Sequence, residues 1–535
     1  MSTRHEAEST MTGETKKEGT EMTTRSSKEK LTWSKMTRAL AAGLLVAGMI
    51  AALSLMPAPS ADAATTFTVN RTADTPDANL SNAACDVNTT ASGKQCTLRA
   101  AIQQANATAG ADTIRFAIPG TTGVKTISPA SVLPTVTEQV TIDGYTQPGA
   151  HPNTLAVGND AALKIQLNGT NVGNNGLEIS NSSSSVIKGL VINRFGLAGI
   201  AVGGDSVANR IEGNFIGTNA AGTLDRGNAT DAVAIFDGPS ETVVGGTTLA
   251  ARNVLSGNGD TGVFTINSNA NRIQGNYVGT DKGGTKDLGN EDGGLFINNA
   301  QDTIVGGNTV ASRNVVSGNG FDGIDIVGTG FRNRVVGNFI GTTASGTGAL
   351  GNDLAGLVIG SFQNFVGDGT TIGANIVAFN GGDGIKFSGG TENRIGRSSI
   401  FSNGGLGIDL SGGVEDAMGR TTNDTGDADT GPNSLQNLPV ITSAKTVSGK
   451  TTIEGTLNTT PNEDFDIEFY SNPSGGDEGK IYIGDTFGTT DSSGNATFTF
   501  SPTTAVAAGR TITAVSHNTV GDTSEFSVPR TVASS

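Results

Sequence analysis

A block of ten residues, Asn209-Arg-Ile-Glu-Gly-Asn-Phe-Ile-Gly-Thr218, returns at Asn271–Thr280 and again at Asn333–Thr342, each time after 62 residues. A second block, Arg252-Asn-Val-Leu-Ser-Gly-Asn-Gly259, returns after 61 residues at Arg313–Gly320, with a weaker copy at Ala374–Gly381. A repeat of this kind is a unit that cannot bury its own apolar face and must stack on its neighbours, so the chain is constrained to a repeat architecture.

A shorter element shows that each long repeat holds two turns. It starts at Gly176, Gly199, Ala232, Gly262, Gly294, Gly323, Gly356, Gly384 and Gly407, at intervals of 23 to 33 residues. Alternating stretches follow, among them Leu295-Phe-Ile297, Ile324-Asp-Ile326 and Ile385-Lys-Phe387. Period two means strands, and the interval leaves room for three short strands and three turns per coil, a β-solenoid. The flanking apolar positions are expected to point inward and stack at about 4.8 Å, with the middle position facing solvent. Thr265 breaks the inward pattern one residue before Ile266, and a β-bulge is expected there to restore it. Corner residues such as Asn214, Asn258, Asn276, Asn319 and Asn338 suit left-handed backbone and side-chain ladders. Leu98, Ala101, Ile102 and Ala105 have helical spacing and are expected to cap the solenoid's N-terminal end.

Ahead of the repeats, Met36 to Arg38 lead into an apolar run, Ala39 to Met56, closed by Pro57, Pro59 and Ala61-Asp62-Ala63. This pattern predicts an export signal cleaved after Ala63, with Met36 as a second candidate start; the alternative, a membrane anchor, is opposed by Gly43, Gly48 and the prolines. Losing residues 1–63 removes 8 basic and 7 acidic residues from totals of 34 and 50, leaving a net charge of −17. So acidic a chain does not favour nucleic acid or anionic lipid as a partner. Cys85 and Cys96, both beyond the cleavage point, are expected to form a disulfide. Neither a second apolar run of spanning length nor a sorting motif at Pro529–Ser535 is visible, so no transmembrane anchor is expected after cleavage.

The segment Cys96-Thr-Leu-Arg-Ala-Ala-Ile-Gln-Gln-Ala-Asn106, followed by Gly110-Ala-Asp-Thr-Ile114 and Phe116, resembles the N-terminal domain named for the motif Cys-Ser-Leu-Arg-Glu-Ala (CSLREA). The resemblance extends through Thr141-Ile-Asp-Gly-Tyr-Thr-Gln-Pro148 and the Asn-Arg-Ile, Gly-Asn and Gly-Thr repeats. It implies an exported bacterial protein, secreted or at the cell surface, with a right-handed parallel β-helix and no defined reaction. The chain departs from the motif at Thr97 and Ala100, so a role of the missing acid is not carried over.

From Val440 onward the repeats stop, and alternating strands are expected at Thr452–Leu457, Asp466–Tyr470, Lys480–Phe487, Ala496–Phe500 and Thr511–Ser516, an immunoglobulin-like β-sandwich. The expected organisation is therefore all-β: an export segment (1–63), a capping region (64–120), a parallel β-helix (121–415), an acidic linker (416–438) and a sandwich (439–535). Within the linker, Asn423, Asp424, Asp427 and Asp429 offer hard oxygen ligands to a structural Ca²⁺; the bidentate Glu of an EF-hand loop is missing, and the alternative is a solvated linker. No other cofactor is implied.

Catalysis has few candidates. His occurs only at 5, 151 and 517, outside the repeats. The outward column reads Glu178, Ala201, Ala234, Phe264, Phe296, Asp325, Val358, Lys386 and Asp409, with no adjacent carboxylate pair of the kind a glycosidase needs. Lys386 beside Asp409 reads as an ion pair. Asp322, Asp325 and Asp383 form the best remaining cluster, with Asp322 and Asp383 two coils apart at about 10 Å. Phe264 and Phe296 offer a flat platform for sugar rings, unless the long turns Asp281–Asn290 and Thr343–Asn352 fold over them, the expected outcome. The sequence favours a non-catalytic protein presenting an extended face to a polysaccharide, cell-surface glycan or other partner in adhesion or at the envelope. The alternatives are a carbohydrate-active lyase or hydrolase and an envelope spacer; the oligomeric state is left open.

Overall fold

The computed structural model describes residues 64–120 and 123–534; the expected export segment and its cleavage point after Ala63 lie outside the described residues. Three parallel sheets run the length of the repeats. The first has eleven strands, from Thr66–Val69 to Arg394–Ile395, the second ten, from Lys125–Ile127 to Ser399–Phe401, and the third nine, from Leu177–Ser180 to Ile408–Leu410. Each coil adds one strand to each sheet, so the stack is a parallel β-helix with two coils per 62-residue repeat.

The expected inward column of the third sheet, from Leu177 through Ile200, Val233, Val263, Leu295, Ile324, Leu357 and Ile385 to Ile408, is buried throughout. Burying one such side chain is worth about 1.5–3 kcal/mol, so this core is the main source of stability. At Thr265 the structure corrects the expectation. Strand Val263–Ile266 pairs with its neighbours in continuous register, Ile235 with Thr265 and Thr265 with Ile297, with no bulge. Thr265 stays in the inward column, wholly buried, with its hydroxyl unpartnered. Ile266 takes the outward position beyond it and is half-buried.

The corners are held by asparagine ladders. Asn214, Asn253, Asn276, Asn314, Asn338 and Asn375 form one, each amide nitrogen up to Asn338 donating to the next residue's side-chain oxygen at 2.9–3.3 Å. Asn228, Asn258, Asn290, Asn319, Asn352, Asn380 and Asn403 form another, with every link at 2.9 Å. A buried amide left without partners costs about 1–3 kcal/mol, and the ladder avoids that at every rung. None of the five corner asparagines singled out by sequence has a positive φ; glycines such as Gly257 (φ +81°) and Gly279 (φ +81°) take the left-handed positions.

Both open ends are covered. At the N-terminal end a helix, Leu98–Ala107, buries Leu98, Ala101, Ile102 and Ala105 against the first coils. Thr97 caps it by accepting from the Ala100 amide, and the Cys85–Cys96 disulfide ties the preceding loop to it. Arg99 grips Asp74 with two hydrogen bonds, 3.0 and 2.8 Å, and the carbonyls of Ser131 and Val132. At the other end Leu435, Tyr470, Val515 and Phe526 join the β-helix core. There Glu478 accepts from the Asn403 amide (3.0 Å), so a residue from beyond the last coil ends the second ladder, and Asn433 accepts from the Asn393 backbone N–H (3.1 Å).

The C-terminal part consists of two four-stranded sheets. Strands Lys450–Asn458, Asp464–Asn472, Ile481–Thr489, Asn495–Phe500 and Thr511–His517 cover the expected segments except for Lys480. An additional strand, Val440–Val447, escaped sequence reading because a register shift between Ile441 and Ser443 breaks its alternation. Among the described residues no helix is long and apolar enough to cross a membrane.

Candidate functional site

The outward face of the third sheet carries the side chains that the alternation places there. Strand register sets Ala234 beside Phe264, Phe264 beside Phe296, and Phe296 beside Asp325. The two phenylalanine rings stack with centroids 5.6 Å apart and planes within 7°, and both are half-buried. Two positions further along the strands, Phe236 and Ile266 pair in the next outward column and widen the apolar strip. The strip is flat, rigid and built on paired strands, which favours precise presentation of ring faces.

The long turns do not fold over this strip, contrary to the expectation from sequence. They fold back over the outward face of the second sheet. There Ala161, Leu163, Val191, Phe215, Val254, Tyr277, Val315, Phe339 and Ala344 form a separate buried cluster. Gly284 (φ +64°) shows how tight the cover is, since a Cβ there would meet Ala344 at 2.5 Å and the Tyr277 ring at 3.0 Å. Arg252 lies 4.6 Å from the Tyr277 ring centroid and Arg313 lies 4.1 Å from that of Phe339. This buried aromatic column follows from the repeated block itself, whose seventh residue is Phe, Tyr or Phe, and sequence reasoning passed over it.

Carboxylates line the edge of the third sheet beside the strip. Asp260 and Asp292 stack through the backbone, the Asp292 amide donating to the Asp260 carbonyl at 3.0 Å. Phe321, 51% exposed, and Leu354, 44% exposed, continue the same edge and were not anticipated. Burial pushes the Asp325 carboxyl up to about 7, helped by the nearby charges of Asp322 and Asp292. Burial raises Asp231 to about 6, against an opposing hydrogen bond from Thr261. Asp322 and Asp383 are also raised, chiefly by burial.

Each of those last two carboxylates is engaged by the following coil. Asp322 accepts from the Ala355 amide at 2.7 Å and Asp383 from the Leu406 amide at 2.8 Å. Lys386 pairs with Asp409 at 2.8 Å and reaches Asp383 at 3.6 Å. The cluster of Asp322, Asp325 and Asp383 thus contains one acid, Asp325, placed on the open face, and two that serve the backbone.

In the acidic segment, ligand oxygens of Asp424, Asp427 and Asp429 lie within 4.8 Å of one another. Asn423 pairs its side-chain amide with both backbone groups of Leu438, at 2.8 and 2.9 Å. Asp427 already accepts from the Asn437 amide (2.8 Å) and from Thr459 (2.7 Å). A second group, Asp466, Glu468 and His517, lies in the sandwich and was not foreseen.

The model of the right-handed β-helix region matches residues 156–340, within the stacked coils. No curated protein matches the sequence. Among solved structures, the periplasmic alginate epimerase AlgG is 12% identical, with 56% of this chain and 59% of that chain covered and a TM-score of 0.30. Pectate lyase Pel9A is 12% identical, covering 68% of this chain and 89% of that one, with a TM-score of 0.32. The Azotobacter vinelandii mannuronan C-5 epimerase AlgE4 A-module is 14% identical over 55% and 76%, with a TM-score of 0.25. The chain spans 59% of the length of AlgG, and likenesses at these scores carry no argument about activity.

Proposed function

We propose that the chain is an exported, non-catalytic β-helix protein of the secreted or cell-surface kind that binds neutral glycan chains along the outward face of its third sheet. The observation that carries this reading is the partly exposed Phe264–Phe296 stack, which the long turns do not cover while they bury the neighbouring aromatic column. Sugar rings present flat C–H faces that pack on such a platform, and the carboxylates at its edge offer hydrogen-bond acceptors to hydroxyls. The same carboxylates disfavour uronate polymers, whose charge has the wrong sign. Export rests on the apolar run Ala39 to Met56 and on the N-terminal segment that resembles the CSLREA domain.

A second reading, a carbohydrate-active enzyme, draws on Asp325, an acid held near 7 on an open face as a general acid requires. Against it, Asp322 and Asp383 each hold a backbone amide of the following coil, and the neighbours of Asp325 in its own outward column, Phe296 and Val358, carry no carboxylate. Incubation with neutral and acidic polysaccharides, with and without calcium, separates the readings by measuring depletion and new chain ends together. Depletion of neutral chains without new ends supports the binding face. New ends that vanish in Asp325→Asn establish the enzyme, and neither effect leaves a spacer.

A further inference from the structure

We propose that Asp466, Glu468 and His517 form a divalent-cation site, suited to Zn²⁺ or a similar first-row ion, in the sandwich sheet that adjoins the last coil. Strand pairing creates the cluster. Asp466 on strand Asp464–Asn472 is paired directly with His517 on the antiparallel strand Thr511–His517, and Glu468, two residues on, projects from the same face as Asp466. Their ligand atoms lie within 4.8 Å of one another, and Nε2 of His517 is 4.0 Å from Oε1 of Glu468. Donors around a tetrahedral ion with bonds of about 2.0–2.1 Å sit roughly 3.3 Å apart, a contraction that side-chain rotation supplies.

The hydrogen bonds define what each atom offers. The Thr523 oxygen accepts from the Ile395 amide at 2.9 Å, and its hydroxyl lies within reach of both the Asn393 carbonyl (3.1 Å) and Nδ1 of His517 (2.9 Å). With the ring hydrogen on Nδ1, the contact of 2.9 Å to that hydroxyl is its hydrogen bond, and Nε2 is the lone-pair donor that a cation needs. Nε2, on a ring that is wholly buried, has no hydrogen-bond partner; nor has Oδ1 of Asp466. Each carboxylate has its other oxygen held from outside. Oε2 of Glu468 accepts from the Tyr470 hydroxyl (2.6 Å) and the Arg397 amide (3.1 Å), and Oδ2 of Asp466 accepts from Arg394 (2.5 Å).

The result is three ligand groups converging, two of them with unpartnered buried atoms, oriented by a second layer of donors as metal ligands usually are. One imidazole and two carboxylates suit Zn²⁺ or its first-row neighbours better than Mg²⁺ or Ca²⁺. A cleft of ≈ 500 Å³, lined by Arg394, Asp466, Phe487, His517 and Asn518 among others, gives entry and room for a fourth ligand such as water. Arg394 and Arg397 come from the β-helix side, so the ion would also fasten the sandwich to the last coil.

The test uses the full chain, stripped with a chelator and titrated with Zn²⁺ by calorimetry and with Co²⁺ by visible absorption. The expected result is one Zn²⁺ per chain at this site, a rise in thermal midpoint, and tetrahedral Co²⁺ bands. His517→Gln and Asp466→Asn should each weaken binding at least tenfold and abolish the bands, while Asp424→Asn leaves both intact. Asp466 is partly exposed, so Asp466→Asn keeps the test decisive should His517→Gln fail to fold. A folded wild type that binds no Zn²⁺, or binding lost in Asp424→Asn but kept in Asp466→Asn, overturns the proposal.

Discussion

Two aromatic columns run along this solenoid and meet opposite fates. On the second sheet Phe215, Tyr277 and Phe339 are buried beneath long turns, while on the third Phe264 and Phe296 stack half-buried with no turn over them. The rings themselves are alike, and both columns arise from the same coil-to-coil stacking. What differs is the chain that leaves each strand. A Gly-Thr turn long enough to fold back, with a glycine in left-handed conformation at its tip, closes the first column; the third sheet is followed by tight corners that leave its face clear. Exposure in a solenoid is thus decided by the connecting turns, and an aromatic face that the turns leave open is the place to look for a ligand.

The comparison is broken most strongly at Tyr277. Truncation to Ala removes a buried ring and the acceptor of the Gly158 amide (2.8 Å), so Tyr277→Ala should cost about 3–5 kcal/mol. Phe296→Ala, on the open face, should cost about 1 kcal/mol or less. Thermal midpoints of the two variants check this, and equal losses would remove the distinction between the columns.

The acid beside the open column gives the next effect. Asp325 has a folded pKa of about 7, above its ordinary value of 3.8, so its contribution to stability is complete at low pH and is lost as pH rises towards 7. Asp325→Asn stays uncharged, and should stabilise the protein above pH 7 by about 1–3 kcal/mol while flattening the fall between pH 4 and 7. An unchanged pH profile of the thermal midpoint would show that Asp325 is better solvated than its surroundings indicate.

The smallest effect is at Thr265, which carries an unpartnered hydroxyl into the apolar column one residue from the Phe264 platform. Thr265→Val keeps the shape and removes that hydroxyl, and should stabilise by about 1 kcal/mol without altering binding. Destabilisation instead would indicate a partner for the hydroxyl.

The solenoid was legible because its signals are local. Alternation at Leu295–Ile297 or Ile324–Ile326 and repeated corner asparagines mark strand and turn without knowledge of the rest of the chain. Thr265 misled because a polar residue in an inward column suggests slippage, yet the paired strands on both sides hold the register more firmly than one hydroxyl can shift it. The turns after Tyr277 and Phe339 misled because sequence fixes their length but not the sheet onto which they fold. Their glycines, spaced alike at Gly222, Gly284 and Gly346, were the available sign. Asp466 and His517 lie far apart in sequence, and only strand pairing joins them. The same holds for Glu478, whose role in closing an asparagine ladder has no local mark.

The central claim is that the open face binds neutral glycan through its stacked rings. The most direct measurement compares affinity for a neutral polysaccharide between the wild type and the Phe264→Ala/Phe296→Ala double variant. Loss of two stacking contacts worth about 0.5–1.5 kcal/mol each should weaken binding roughly tenfold or more while the coil stack stays folded. Equal affinity in a folded double variant would contradict the account and move the binding surface elsewhere on the molecule.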